Sequence, residues 1–545
     1  MYRLRRMYVS LVWCLLVIIG GNPFTGQAQT SVTQAPVRYD KDWPSPAFYA
    51  SRRQAVREHL PPHAVAIFFS APMRTRSRDV EFEYRQDSDL LYLSGMTEPG
   101  SVLIIFAEPT VVAGDTVREV LFVPPRDPRS EVWTGRRLGP EGAERLLGVE
   151  KALPNTEYAS VLHTLAADTL RVFHLPLPEG VESGDVLYEQ LRVFRDLFHP
   201  VEVAGGTADR RLLGLLMEVD DAETFRQVKA FLSMQVQEVA DSSVQQLFQQ
   251  FQTSETIDAW RARREAWLQQ VPDGFSLRKW LNRLRMHKTE EELALMQRAI
   301  DITADAHRAL MQTLQPGQYE YQAEALIEYV FKREGAEYPA FPSIVGSGEN
   351  SVILHYNTNR RQMQAGDVVV VDIGAEYHGY AADITRTLPV SGTFSPEQRA
   401  IYELVLKAQE AGIAKARAGE AFRAPGDTAR QVIAQGLMEL GLIQSPDQVR
   451  RFFMHGTSHY VGLDVHDVGT YGLLQPGQVI TVEPGIYIAP APDIDPRWWN
   501  IGVRIEDDVL ITEGDPVVLS RRVPRTVEAI EAMMARRRKE TGSGK

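Results

Sequence analysis

The stretch Val368-Val369-Val370-Val371-Asp372-Ile373-Gly374 decides the fold of this chain. Its run of β-branched residues predicts a buried strand. Asp372 interrupts the apolar run, and a buried carboxylate is costly unless a positive group compensates it. The strand therefore predicts a place where an acidic side chain meets a compensating partner.

The chain turns directly after this strand and returns with a second carboxylate. Gly379 favours a tight turn at His378-Gly379, which places Asp383 opposite Gly374 and on the same face as Asp372. Diagonal neighbours across a hairpin are close enough for both carboxylates to contact one small ligand. Two such charges do not both stay ionised without a cation, so the hairpin favours metal binding over a hydrogen-bonded structural pair.

A cluster of histidines follows further along the chain. Three of the twelve histidines, His455, His459 and His466, fall within residues 455–466. Any one of them alone is more often structural than functional. Their clustering, with glycines that allow the backbone to approach a ligand, favours a functional site.

Two more apolar strands each end in a carboxylate. The run 479–482 leads into Glu483-Pro484-Gly485 and repeats the pattern around Asp372. Arg504 and Glu506 lie two residues apart, so they share one face of the last strand. Taken alone, this pair is most simply interpreted as an ion pair.

Four carboxylates and a histidine on neighbouring strands make a site of mostly hard oxygen ligands. Two divalent ions would balance the four negative charges, and Mn²⁺, Mg²⁺, Co²⁺ or Zn²⁺ would suit the site, with the oxygen-rich set favouring Mn²⁺. Two ions ~3.5–4 Å apart can hold a bridging hydroxide and polarise a carbonyl, which is the chemistry of peptide or amide hydrolysis. The sequence contains no Gly-x-Ser-x-Gly elbow and no His-Glu-x-x-His helix, which argues against those alternative hydrolase sites.

Composition excludes several classes of protein. The chain has 545 residues, of which 44% are hydrophobic and 24% charged, as in a soluble protein of several domains. The net charge of -12 and the lack of a long basic run argue against a nucleic-acid partner. The only cysteine is Cys14, in the first apolar stretch, so a cysteine nucleophile in the mature chain is excluded.

The first 28 residues are typical of a secretory signal. Arg3, Arg5 and Arg6 precede an apolar run over 7–19, and the small side chain of Ala28 suits cleavage. The run is shorter than the ~20 residues of a spanning helix, although an uncleaved anchor remains the alternative. We expect a periplasmic or secreted protein with no stable membrane insertion after cleavage.

Three regions follow the leader. Short apolar runs at 64–69, 101–106 and 119–123 predict strands of a small α/β domain, placed at 46–200. Region 208–284 predicts two to four helices that form an insertion or linker and serve mainly for packing or oligomerisation. Its apolar positions at helical spacing include Phe225, Val228, Leu232, Val236 and Val239.

The third region carries the chemistry. Thr289 and Glu292 form a capping-box pattern that predicts the start of a helix. From there strands and helices alternate, so residues 288–534 are expected to form an α/β (α+β) catalytic domain.

The candidate ligands and their surroundings resemble those of a known family. The order and context of five residues resemble the metal-ligand set of the pita-bread metallopeptidases, which include methionine aminopeptidase, prolidase and aminopeptidase P. These residues are Asp372, Asp383, His459, Glu483 and Glu506. The resemblance is strongest to the aminopeptidase P (Xaa-Pro aminopeptidase) family, and it covers residues 48–160 and 288–534. Its motifs are similar at 84–89, 133–139, 353–357, 455–469 and 482–490.

The resemblance implies a role for each residue of the site. It implies that Asp372 chelates one metal, that Asp383 and Glu506 bridge two, and that His459 and Glu483 hold the other. Glu483 would also carry a proton. Three further roles are implied for the residues around the ligands: the substrate carbonyl is bound by His355 and His466, Arg504 orients Glu506 or the peptide, and His455 lines the pocket.

The implied reaction releases an N-terminal residue that precedes proline, with two divalent ions, Mn²⁺ before Co²⁺ or Zn²⁺, in a homo-oligomer. A prolidase, which cleaves Xaa-Pro dipeptides, shares the fold and all five ligands and is the alternative function. Methionine aminopeptidase normally lacks so large an N-terminal domain. A metal-free binding protein on this fold would have lost ligands. One departure is Leu91, which stands near a position where the family often places a tryptophan.

Overall fold

The computed structural model describes residues 38–168, 170–198, 207–217, 219, 221–233, 242–268 and 274–542. The expected signal segment, residues 1–28, lies outside these ranges, as do Val236 and Val239 of the helical stripe. None of the helices in the described ranges has the length and apolar character needed to cross a membrane.

The described residues form an α/β structure in which a mixed N-terminal sheet, a helical segment and a second set of sheets follow one another. The helices are α1 (Pro46–Arg57), α2 (Ser88–Ser94), α3 (Pro128–Thr134), α4 (Gly139–Leu147), α5 (Tyr158–Ala166), α6 (Val186–Phe198), α7 (Thr207–Met217), α8 (Ala222–Ser233), α9 (Ser242–Thr253), α10 (Ile257–Leu268), α11 (Gly274–Met286), α12 (Glu290–Thr313), α13 (Glu320–Arg333), α14 (Pro396–Ile413), α15 (Ala424–Glu439) and α16 (Val527–Gly542), with short 3-10 turns at Asn155–Glu157, Gly348–Val352, Pro446–Arg451 and Pro496–Trp498.

The strands alternate with these helices along the chain. They are β1 (Ala64–Phe69), β2 (Thr75–Ser77), β3 (Val80–Glu81), β4 (Val102–Val112), β5 (Asp115–Val123), β6 (Ala152–Pro154), β7 (Arg171–His174), β8 (Tyr338–Pro339), β9 (Ile344–Ser347), β10 (Val368–Ile373), β11 (Ala375–Tyr377), β12 (Tyr380–Ala381), β13 (Ile384–Pro389), β14 (Val479–Val482), β15 (Gly485–Ile488), β16 (Ile501–Arg504), β17 (Asp507–Leu510) and β18 (Val517–Val518).

The N-terminal sheet is covered on both faces. Its order is β6-β5-β4-β1-β7, with β1 antiparallel to β4 and parallel to β7. Alternate residues of β1 enter different cores: Val65 and Ile67 pack in one cluster, whereas Ala66 and Phe68 join the cluster that continues into the catalytic region. The predicted strand at 64–69 is confirmed, and the runs at 101–106 and 119–123 fall almost wholly within β4 and β5.

The helical segment contains more helices than its sequence pattern predicts. Five helices, α7 to α11, are described between Thr207 and Met286, so the expectation of two to four is wrong. Phe225 of α8 and Phe251 of α9 lie in one apolar cluster, and their rings pack edge to face. The apolar stripe therefore runs across a helix break, and periodicity alone merges neighbouring helices.

The hairpin around Asp372 has the predicted register. Strand β10 lies between β13 and β9, with Asp372 opposite Thr385 and Ile373 opposite Ile384, so the register continues to Asp383 opposite Gly374. The turn residues His378 and Gly379 have φ of 50° and 85°, the left-handed pair of a tight hairpin turn.

Gly374 is required at the centre of this hairpin. A Cβ atom there would lie 1.8 Å from the carbonyl oxygen of Ala382, a distance that no side chain tolerates. The two strands therefore approach closely beside the carboxylates, which keeps Asp372 and Asp383 near each other.

The start of α12 and the pairing of the last strands complete the catalytic region. The predicted capping box is confirmed at the start of α12, where Thr289 and Glu292 exchange hydrogen bonds. Strand β14 pairs with β17, and β15 pairs with β16. Glu506 follows the end of β16 and precedes β17, and its N–H donates to the carbonyl of Thr385 at 3.1 Å. The last carboxylate is thereby attached to the hairpin of the first two.

Candidate metal centre

Three of the five predicted ligands converge on one point. Each of Asp383, His459 and Glu506 offers a ligand atom, and these atoms lie within 4.8 Å of one another. Asp383 follows β12, Glu506 lies between β16 and β17, and His459 belongs to a segment that runs beside β14. The N–H of Thr481, on β14, donates to the carbonyl of His459 at 2.9 Å.

Asp372 and Glu483 also lie near this point. We call the five side chains together the acidic ring: Asp372, Asp383, His459, Glu483 and Glu506. His459 Nε2 lies 3.4 Å from Asp383 Oδ2 and 3.8 Å from Glu483 Oε1. The Oδ1 atoms of Asp372 and Asp383 are buried and have no hydrogen-bond partner among the described residues. A buried carboxylate oxygen that accepts no hydrogen bond is costly. Divalent cations would compensate these oxygens, so the residues present fit a metal site.

The proton affinities of the carboxylates lead to the same conclusion. Burial, and then the negative charges of their neighbours, raise the pKa of Asp383 and Glu483 well above the ordinary range. Burial first, and then Asp372, raise the pKa of Glu506 to about 8. Without a cation this cluster retains protons at neutral pH, whereas a divalent ion would replace them.

His459 is prepared as a neutral ligand. Burial, and then His466, lower its pKa to about 4. Its Nδ1–H donates to the carbonyl of Tyr460 at 3.0 Å, which leaves the Nε2 lone pair directed at the carboxylates. A hydrogen bond of this kind fixes the tautomer of a metal-binding histidine.

Arg504 pairs with Asp372 rather than with Glu506, so the simple ion-pair interpretation is wrong. Its implied role of orienting Glu506 or the peptide stays a prediction. Its Nη2 donates to Asp372 Oδ2 at 2.7 Å, and its Nε donates to Thr385 Oγ1 at 3.3 Å. The hydroxyl of Thr385 then donates to Glu506 Oε2 at 2.6 Å. Strand β16 ends at Arg504, so the two-residue alternation does not extend to Glu506.

Tyr487 is a site residue that the sequence reasoning missed. Arg504 Nη1 donates to its hydroxyl oxygen at 3.0 Å, and the hydroxyl lies 2.8 Å from His455 Nε2. His455 Nδ1 donates to the carbonyl of Gly456 at 2.6 Å, so its Nε2 accepts from Tyr487. The signal available in the sequence was its position: Tyr487 stands four residues after Glu483, on the strand β15 that follows this carboxylate.

The three predicted substrate histidines lie around the acidic ring. The rings of His466 and His459 are 4.1 Å apart, and His455 Nδ1 is 3.6 Å from Glu483 Oε2. Burial, and then Arg504, lower the pKa of His455 to about 4; burial, and then His355, lower the pKa of His466. His355 and His466 are exposed, as groups that meet a substrate must be.

Leu91, the departure noted in the sequence, is part of the interior. It is only 6% exposed, and a Cβ atom on Gly379 would lie 2.5 Å from its Cδ2. Leu91 therefore packs α2 of the N-terminal region against the turn of the metal hairpin.

Comparison with known proteins agrees with this geometry. The model of metallopeptidase family M24 matches residues 294–513, and that of the aminopeptidase P N-terminal domain matches residues 49–173. The Xaa-Pro aminopeptidase of Escherichia coli is 36% identical over 505 residues, which are 90% of this chain and 98% of that protein. The Xaa-Pro aminopeptidase of Haemophilus influenzae is 34% identical over 498 residues, 89% of this chain and 96% of that protein.

Solved structures give the same result. Aminopeptidase P from E. coli with the inhibitor Pro-Leu superposes with a TM-score of 0.70 at 35% identity and covers 91% of this chain and 99% of that one. The Pseudomonas aeruginosa aminopeptidase PepP gives 0.71 at 33% identity, covering 92% and 100%.

The acidic ring and the two-part fold define a metallopeptidase with the pita-bread catalytic domain. The comparisons make the assignment narrower: the chain belongs to metallopeptidase family M24 and, within it, to the aminopeptidase P family of metallo-aminopeptidases. The prolidase alternative is not favoured, because the two relatives named above are Xaa-Pro aminopeptidases and the match covers nearly the whole length of each.

Proposed function

We propose that this enzyme releases the N-terminal residue of peptides whose second residue is proline, with two divalent ions in the acidic ring. The observation that carries the proposal is the convergence of Asp383, His459 and Glu506, within 4.8 Å, beside buried carboxylate oxygens that lack donors. The names of the relatives support the choice of bond. An Xaa-Pro bond is a tertiary amide without an N–H, so it calls for a dedicated pocket.

The five ligands divide between the two ions. Asp372 would hold one ion, His459 and Glu483 would hold the other, and Asp383 and Glu506 would contribute to both. When bound, such a pair of ions lowers the pKa of a water molecule and polarises a carbonyl. The oxygen-rich set favours Mn²⁺, with Co²⁺ or Zn²⁺ as alternatives.

The protein's own groups handle protons and the developing charge. Glu483 takes the proton that the attacking water loses and delivers it to the leaving nitrogen. His355 and His466 donate hydrogen bonds to the carbonyl oxygen of the scissile bond, where negative charge grows in the transition state. Arg504 fixes Asp372 and, through Tyr487, orients His455 at the pocket wall.

Three peptides test the proposal on protein that has been stripped of metal and reloaded with Mn²⁺, Mg²⁺, Co²⁺ or Zn²⁺ in turn. They are an Xaa-Pro-Xaa tripeptide, an Xaa-Pro dipeptide and a matched Xaa-Ala-Xaa tripeptide. We expect release of the first residue from the proline tripeptide, little from the alanine one, and the highest rate with Mn²⁺. Cleavage of the dipeptide alone would support a prolidase, and no cleavage with any metal would overturn the proposal.

We also propose that the chain is exported, on the basis of Arg3, Arg5, Arg6 and the apolar run that precedes Ala28. N-terminal sequencing of the protein from its native host should begin near Gln29. An intact Met1 in a cytoplasmic fraction would contradict export.

A homo-oligomer is the proposed assembly. Val132 and Trp133 of α3 are 81% and 88% exposed, and an exposed apolar pair of this size suits contact with a second copy. Light scattering should give a mass above that of one chain, reduced in Trp133→Ser; equal monomeric masses would refute the assembly.

A further inference from the structure

A buried carboxylate outside the metal centre organises one loop of the cleft. Glu320 is the first residue of α13 and is 0% exposed. Its Oε1 accepts hydrogen bonds from Ser347 N at 2.9 Å, Ser347 Oγ at 2.7 Å and Asn350 Nδ2 at 3.2 Å. Its Oε2 accepts from the hydroxyl of Tyr356 and the N–H of Arg361, both at 2.8 Å. All five donors belong to residues 347–361.

This charge is stabilised where it lies. The N-terminus of a helix favours an anion, and five donors fill the acceptor capacity of a carboxylate, which offers about four lone-pair sites. Arg361 Nη1 also donates to Ser347 Oγ at 3.0 Å, so a cation stands one hydrogen bond away. The carboxylate of Glu320 is therefore fully hydrogen-bonded, and none of these hydrogen bonds comes from a predicted metal ligand.

The loop that Glu320 holds carries His355. The His355 ring is exposed, so the backbone on its two sides has a large part in where the ring points. On one side, the carbonyl of Leu354 accepts from Arg504 Nη2 at 3.3 Å. On the other side, the hydroxyl of Tyr356 donates to Glu320.

We propose that Glu320 is a positioning residue for His355 and that the hydroxyl of Tyr356 is the link between them. This inference rests on the proposed function, in which His355 meets the carbonyl oxygen of the scissile bond. A ring placed by its two flanking residues loses its alignment when one of the anchors is released. Misplacement of a catalytic group by about 1 Å can lower the rate ~10²-fold.

A purely structural network would behave differently, and a double-mutant cycle separates the two cases. Tyr356→Phe removes one hydroxyl and keeps the ring. If Tyr356 acts through His355, the substitution lowers kcat in the wild-type enzyme and has little further effect in His355→Ala. If the network only stabilises the fold, Tyr356→Phe changes kcat by the same factor in the wild-type enzyme and in His355→Ala.

The experiment measures kcat and KM on the Xaa-Pro-Xaa tripeptide, metal content and melting temperature for Tyr356→Phe, His355→Ala and the double variant. We expect Tyr356→Phe to lower kcat ~10- to 100-fold with unchanged KM and metal content, and to change kcat less than about twofold in His355→Ala. Tyr321→Phe is the matched control: Tyr321 follows Glu320 by one residue and is 37% exposed, so we expect wild-type kcat.

The outcomes separate this inference from the proposed function. A wild-type enzyme that cleaves no Xaa-Pro peptide defeats the proposed function. An active wild type, with Tyr356→Phe either harmless or equally costly in both backgrounds, overturns the role of Glu320. Glu320→Gln adds a second test: it should reproduce the kcat loss of Tyr356→Phe, and if it does not fold, the cycle at Tyr356 decides alone.

Discussion

Replacing Arg285 by methionine should destabilise the protein more than any change at its surface. Arg285 is the penultimate residue of α11 and is buried together with two carboxylates: it donates to Asp89 of α2 at 2.8 Å and to Asp467 beside His466. It also reaches Asp464 at 2.6 Å. One guanidinium thus joins the N-terminal region to the loop that follows His459, the predicted metal ligand.

The size of the effect follows from what remains after the substitution. Asp467 keeps Lys288 at 2.8 Å, whereas Asp89 keeps Arg278 as its one remaining ion-pair partner in the described part of the chain, with a side chain that is 35% exposed. Removing one partner of a buried ion pair costs about 3–5 kcal/mol, a large share of the ~5–15 kcal/mol that stabilises a typical protein. Arg285→Met should therefore lower the free energy of unfolding by about 3–5 kcal/mol.

Urea unfolding of the metal-loaded enzyme measures this loss, and two variants serve as controls. Arg278→Met removes the solvent-screened partner of the same carboxylate and should cost ~1 kcal/mol or less. Arg285→Met combined with Asp89→Asn removes the uncompensated charge and should recover part of the loss. Equal midpoints for the Arg285 and Arg278 variants would refute the reasoning.

The pH dependence gives an independent check. Burial alone would raise the pKa of Asp467, but Lys288 and Arg285 lower it below the ordinary value; Arg278 and Arg285 do the same, against burial, for Asp89. A carboxylate whose pKa is lowered in the folded state stabilises the protein at pH values above its unfolded pKa of ~4. This stabilisation is lost as the pH falls through the pKa of the folded state. Arg285→Met should therefore move acid unfolding to higher pH, and an unchanged acid midpoint would contradict the network.

Three further outcomes are expected. His466→Ala should keep its metal and melting temperature but lose ~10²–10³ in kcat, whereas His459→Ala should lose metal; metal analysis, melting and kinetics on both variants decide this. Gly379→Ala should lower the melting temperature, because φ of 85° and a contact of 2.5 Å with Leu91 leave no room for a side chain; an unchanged melting temperature would refute this packing. Chelation should lower the melting temperature increasingly from about pH 4 to 8, because burial first and then Asp372 raise the pKa of Glu506 to about 8, so the metal-free folded state retains a proton that the unfolded chain releases above pH ~4; a pH-independent effect of chelation would exclude this cause.

The sequence by itself determined the elements whose cause is local. The capping box at Thr289 and the strand β1 follow from residues within a few positions of each other. The register of the β10–β13 hairpin follows from a glycine in the turn and from alternation along two adjacent strands. The candidate acidic ligands could be found for the same reason, since a carboxylate that interrupts an apolar strand is visible without tertiary structure.

The tertiary structure alone decided which charged groups are partners. Arg504 lies two residues from Glu506 in the chain but binds Asp372, 132 residues away. Tyr487 and the five donors around Glu320 likewise become neighbours only when separate segments pack together. Periodicity reports which face of an element is buried, and it carries no information about what another element brings to that face. Because hydrogen bonds act only at ~3 Å, the identity of a buried partner depends on the packing of segments that are distant in the sequence.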